Sequence, residues 1–133
     1  MNSLDVLRRY RKIAVLGISP NPDRPSYYVS EHMLGRGYEV VGVNPAQTDV
    51  LGRPCYPSLV EVPGPLEIVA VFRASEHLAG IVKEAIALAP KVLWIQLGIE
   101  DAEAEREAER AGIVVVRRQC LMVEEERLSS LAK

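Results

Sequence analysis

The chain has 133 residues, 48% apolar and 26% charged, with a formal net charge of −2. That size suits one folding unit with one core, and the charge gives no basic face of the kind that binds nucleic acid. No apolar run reaches membrane-spanning length, and "MNSLDVLRRY" lacks the apolar stretch of a signal peptide.

The first ten residues read as a short helix from about Ser3 to Tyr10. Short continuous apolar runs follow at "KIAVLG" (12–17), "YEVVGVN" (38–44), "EIVAVF" (67–72), "KVLWIQ" (91–96) and "IVVV" (113–116). Their β-branched content favours strands. Their lack of polar alternation says that both faces are buried, as in a parallel sheet covered by helices. Between the first two runs, "SYYVSEHMLGRG" reads as a helix with Ser26 as candidate N-cap and Gly37 past its end.

The stretch "GRPCYPSLVEVPGP" (52–65) is too proline-rich for a regular helix. It predicts a very short third strand at Arg53 to Cys55 and a helical turn near Ser58 to Val60. A helix then starts at Ser75 and is stopped by Pro90, with Leu78, Ile81, Val82, Ala85, Ile86 and Ala89 on one apolar face. "EDAEAEREAERAG" reads as a helix with an acidic start, a solvated outer face and Gly112 as its end. A last helix runs from about Met122 to Leu131, and its "EEER" (124–127) reads as a solvated face.

Alternating strands and helices predict an α/β fold, a doubly wound parallel sheet. Right-handed crossovers give the order 3-2-1-4-5-6, with "IAVL" central and "IVAVF" beside it. Ligands of open α/β sheets bind beyond the carboxyl ends of the strands at that switch point.

The strand ends carry Gly17, Ser19 and Pro20; Asn44 and Pro45; Phe72 and Arg73; Gln96 and Gly98; and Arg117, Arg118 and Cys120. Gly17 has no Cβ, so a phosphate can approach the backbone closely. Ser19 offers a hydroxyl, the Ser26 helix start offers N–H groups, and Arg24 offers a two-pronged donor. An NAD site wants a carboxylate at the end of the second strand. Asn44-Pro45 stands there instead, and no carboxylate follows until Asp49.

His32 and His77 lie in helices away from this rim, and no Ser–His–Asp order, Walker loop or metal-ligand spacing is present. The residues therefore name no catalytic group, and a binding module is expected rather than an enzyme. Cys120 is the candidate nucleophile, following two arginines and able to form a mixed disulfide with a ligand thiol. Cys55, between Pro54 and Tyr56 on an edge, reads as inert. Two cysteines without ligand spacing fit reduced thiols in a cytoplasmic protein. Abundant Arg, Glu, Ala and Pro look thermophile-like.

In order and spacing, "GISPNPDRPSYYV", "GYEVVGVNP", "LGRPCYPSL", "VAVF", "LWIQLGI" and "AGIVVVRRQC" resemble the small stand-alone CoA-binding proteins. These are similar to the N-terminal CoA-binding domain of the succinyl-CoA synthetase α subunit. The resemblance spans about residues 10 to 125 and implies a Rossmann-like domain, here 1–133, that binds coenzyme A or an acyl-CoA. It implies that Gly17, Ser19 and Pro20 form the first phosphate loop, with Arg24 and Ser26 in the P-x-R-x-S pattern that follows. Asn44 and Pro45 would lie near the adenosine, Phe72 and Arg73 beside the first strand, and Gln96 and Gly98 along the pantetheine arm. Relatives often carry an Asp-Arg pair before the cysteine, whereas this chain has Arg118-Gln119-Cys120. Two other readings stay open: a CoA-linked transferase or thiol-exchange enzyme using Cys120, and a CoA-responsive interaction protein whose protein partner is unknown.

Overall fold

The computed structural model describes residues 1–132. The sheet is built from β1 (Lys12–Leu16), β2 (Glu39–Val43), β3 (Asp49–Val50), β4 (Arg53–Tyr56), β5 (Ile68–Val71), β6 (Val92–Ile95) and β7 (Val114–Arg117). Its helices are α1 (Ser3–Arg9), α2 (Pro25–Gly35), α3 (Leu78–Leu88), α4 (Ala102–Arg110) and α5 (Leu121–Leu131). Short 3-10 turns occupy Leu59–Glu61 and Ser75–His77.

The strand order is β3-β4-β2-β1-β5-β6-β7, parallel throughout except for the β3–β4 hairpin. The six strands predicted from the sequence take their expected places. The difference is β3, a two-residue strand added at the edge beside Arg53 and Pro54.

Strand periodicity divides the core. Ile13 and Val15 pack with α1, α2 and α5 through Leu7, Met33 and Leu121. Ala14 and Leu16 face the other way, towards Leu78 and Val82 of α3 and Ala104 and Ala108 of α4. The continuous apolar runs thus mark a sheet with helices on both faces, a Rossmann-like three-layer arrangement. Burying side chains of this size contributes roughly 1.5–3 kcal/mol each. Trp94, fully buried at the centre of β6, is among the largest of them. Among the described residues, no helix is long and apolar enough to cross a membrane.

Several local expectations change. Arg24, not Ser26, is the N-cap of α2, because Pro25 takes the first helical position, where its missing N–H costs nothing. Ile86 and Ala89 lie exposed, so the buried face of α3 is narrower than its apolar pattern. The "EEER" run is not wholly solvated. Glu124 and Glu125 are buried where α5 packs on α1 and α2. Ser3 donates to Glu124, and His32, Arg36 and Ser129 all engage Glu125. Nor is α4 wholly solvated, since Glu105 is buried and bonds Arg117 at 2.6 Å.

Candidate functional site

A cleft of about 750 Å³ opens at the carboxyl ends of β1, β5, β6 and β7. The loop after β1 forms one end of it. Glycine, asparagine and proline choices fix that loop. Gly42 lacks the Cβ that would meet Ile18 Cγ2 at 2.7 Å, so Ile18 tucks down onto β2 and is buried. Asn44 Nδ2 donates to the Ile18 carbonyl at 2.8 Å, while its Oδ1 accepts from the Ala46 amide at 2.8 Å.

Gly17 has φ +85, and its amide donates to the Val43 carbonyl at 3.0 Å. The space its side chain would fill is taken by Arg73 Cδ at 2.6 Å and the Phe72 carbonyl at 2.8 Å. The missing side chain at Gly17 thus makes room for the stem of Arg73, and Gly17 itself lines the cleft. The Ser19 amide is also occupied, donating to Ser26 Oγ at 2.9 Å, and Asn21 N–H donates to Ser19 Oγ at 3.1 Å. Pro20, Pro22 and Pro25 have no N–H at all. Among the described residues this leaves the amides of Ile18 and Ser26 unpaired, and of these two residues Ser26 lines the cleft. Most of the loop amides are thus already paired within the protein.

Gly17, Ser19, Arg24, Ser26, Phe72, Arg73 and Gln96 all line the cleft, as does Cys120. Pro20, Asn44, Pro45 and Gly98 do not. Asn44 shapes the loop from behind, and Gly98 takes the positive φ of the turn that carries Leu97 and Ile99 inward. Tyr28, Leu97, Ile99, Met122 and Val123 also line it without having been singled out. The signal for the last two was the apolar "CLMV" at the start of α5, which the expected helix start at Met122 hid.

The charge balance of the cleft is sharper than that of the chain. Arg24 and Arg73 line it, neither has a carboxylate partner among the described residues, and no Asp or Glu lines it. The other rim arginines are neutralised. Arg117 pairs with Glu105 and Glu109, whose hydrogen bonds hold its guanidinium charged, and Arg118 pairs with Glu100 at 3.0 Å. One end of the cleft is therefore polar and cationic. The other end, around Leu97, Cys120, Met122 and Val123, is apolar.

Gln96 joins the two. It is 5% exposed, its Oε1 accepts from the Leu121 amide at 2.9 Å, and its Nε2 has no partner among the described residues. Cys120 caps α5 and is half-buried, whereas Cys55 is buried in β4 beside Gly42 of β2, and burial pushes its thiol up from the ordinary range. Such a cleft can hold an elongated anion with a neutral, amide-bearing or apolar tail.

Comparison with known proteins gives the family of the chain. The family described as "CoA binding domain" matches residues 11–126. The uncharacterized protein YneT of Bacillus subtilis is 40% identical over 119 residues, covering 90% of this chain and 88% of that protein. An ADP-forming acetate–CoA ligase I of Archaeoglobus fulgidus is 29% identical over 119 residues, and the match covers 82% of this chain and 17% of the ligase. A solved structure from Thermus thermophilus, ID.343, superposes with a TM-score of 0.91 at 38% identity, covering 96% of this chain and 99% of that one.

Proposed function

Because the chain belongs to the CoA binding domain family, we propose that it binds coenzyme A, free or as an acyl thioester, across the carboxyl ends of β1, β5, β6 and β7. The diphosphate sits against the Ser19 and Ser26 hydroxyls and the start of α2, with Arg24 and Arg73 offsetting its charge. The pantetheine arm passes Gln96, and the adenosine lies towards Asn44 and Pro45. Residues 1–133 act as one binding unit. The chain holds its ligand without a catalytic residue of its own. Both cysteines are free, which suits a reducing compartment, and we place the protein in the cytoplasm.

The observation that carries this reading is the pairing of Arg24 and Arg73 in a cleft that no carboxylate lines. A chain of net charge −2 has here a concentrated positive field, and an anion is the ligand that such a field selects. Two or three charge-assisted hydrogen bonds contribute about 1.5–3 kcal/mol each, enough for micromolar binding once ordering costs are met. Calorimetric titration with CoA, NAD and NADP under reducing conditions tests it. CoA should bind in the micromolar range and tighter than either dinucleotide; tighter NAD would overturn the reading.

A further inference from the structure

Across the sheet, the cleft runs from the loop after β1 to the loop after β7, crossing β5 and β6. Neighbouring strands lie about 4.8 Å apart, so three spacings set the two ends about 14 Å apart. The arm of CoA from diphosphate to sulfur is an amide chain of about twelve bonds, and at roughly 3.5 Å per three bonds it also reaches about 14 Å. A CoA whose diphosphate rests at Arg24 and Arg73 therefore ends at the loop after β7. The wall of the cleft continues past that point. Met122 and Val123 extend it along the first turn of α5, and Leu97 and Ile99 line the same end from the turn after β6.

This extra wall is apolar and bare. Leu97 is 61% exposed and Val123 46%. With Tyr28 they are three of the seven large apolar side chains exposed among the described residues, and all three line this one cleft. Apolar side chains scattered singly need no explanation, but several gathered in one cavity mark a place that an apolar group covers. That group has to continue from an anchored anion, because the cationic and apolar ends share the cleft. It also has to be uncharged. Among the described residues, Arg24 and Arg73 are the charged ones that line the cleft, and Arg118, which does not line it, is held by Glu100 at 3.0 Å. A carboxylate brought to the β7 end would lose its water with no cation to replace it.

We infer that the preferred ligand is CoA carrying an uncharged apolar acyl group, whose chain lies on Leu97, Ile99, Met122 and Val123. The inference rests on the CoA reading above. One helical turn of α5 rises about 5.4 Å, and an acyl chain of about four to six carbons extends about 4–6 Å, so a chain of that length covers the wall. Met122 suits such an occupant, since its unbranched thioether side chain can adjust to chains of different length. A methylene strengthens binding by about fourfold when fully buried and by about twofold when half-covered. Free CoA ends before this wall, leaves it in water and is the weaker ligand.

The test is a calorimetric titration of the chain, in a phosphine reductant that spares thioesters, with CoA, acetyl-CoA, butyryl-CoA, hexanoyl-CoA and succinyl-CoA. Affinity should rise in that order through hexanoyl-CoA, which should bind about tenfold or more tighter than CoA and with a more negative heat-capacity change. Succinyl-CoA should bind no tighter than CoA. Val123→Asn, a change at an exposed position, should cut the ratio of hexanoyl-CoA to CoA affinity to about threefold or less. The ligand series on the unaltered chain keeps the test valid if that variant fails to fold. Equal affinity for CoA and hexanoyl-CoA, succinyl-CoA as the tightest ligand, or an undiminished ratio in Val123→Asn would overturn the acyl assignment alone. Sedimentation showing a dimer that Val123→Asn dissociates would do the same, by giving the wall to a second copy of the chain. No binding of CoA or of any thioester would overturn the CoA reading and this inference with it.

Discussion

Gly17 and Arg73 have to be considered together. Adding a Cβ at position 17 would strain a residue at φ +85 and push Arg73 Cδ from a point 2.6 Å away. Gly17→Ala should therefore cost about 1–3 kcal/mol in a denaturant titration and also weaken CoA binding, by displacing a guanidinium rather than by blocking a phosphate. Arg24→Ala should lower CoA affinity by about tenfold or more at low salt and by less at high salt. Equal loss at both salts would argue against a phosphate contact. Gln96→Glu keeps the acceptor for Leu121 but removes the Nε2 donor, and should lower CoA affinity by about tenfold in the same titration. At this scale Ser19, Arg24, Ser26, Arg73 and Gln96 were legible, because small, cationic and amide residues at strand ends have few other uses. Arg117 and Arg118 were not. Their partners Glu105, Glu109 and Glu100 come from α4 and its approach, and pairing between elements leaves no mark in sequence spacing.

The packing of α5 shows the same limit for a whole helix. A run of three glutamates and an arginine looks solvated until α1 and α2 are set beside it. Burial pushes the Glu125 carboxyl up, but hydrogen bonds from Ser129 and His32 and the charges of Arg36 and His32 outweigh this and hold it below its ordinary 4.5. Its folded value is thus lower than its unfolded one. The stability it contributes is complete above the ordinary carboxylate range and is lost as pH falls through the folded value. Unfolding free energy measured from about pH 7 down to pH 3 should therefore fall in the acid limb, and Glu125→Gln should flatten that limb. Glu125→Ala should cost about 2–4 kcal/mol at neutral pH by removing the common partner of His32 and Arg36. An acid limb unchanged in Glu125→Gln would mean that other carboxylates carry it.

For the molecule as a whole, continuous apolar runs and the helices between them were enough to order six strands. The hairpin that adds β3 was hidden by its turn. Leu51 and Gly52 both take positive φ, 58 and 70, the geometry of a type I′ connection. Asn or Asp usually precedes the glycine in such a turn, and a leucine there gives no warning. The cleft floor was legible from strand ends, whereas its apolar far wall depends on α5 starting one residue earlier than its pattern suggests, with Cys120 as cap. The two ends together make the central claim, an anion site at β1 joined to an apolar terminus at β7. Titration of the isotope-labelled protein with CoA, followed by backbone NMR, tests it most directly. The account predicts that the largest amide shifts fall at Ser26, Arg73, Gln96 and Cys120, in one saturating transition. Shifts confined to the smaller hollow between Leu59 and Lys91, or absent while CoA is in excess, would contradict it.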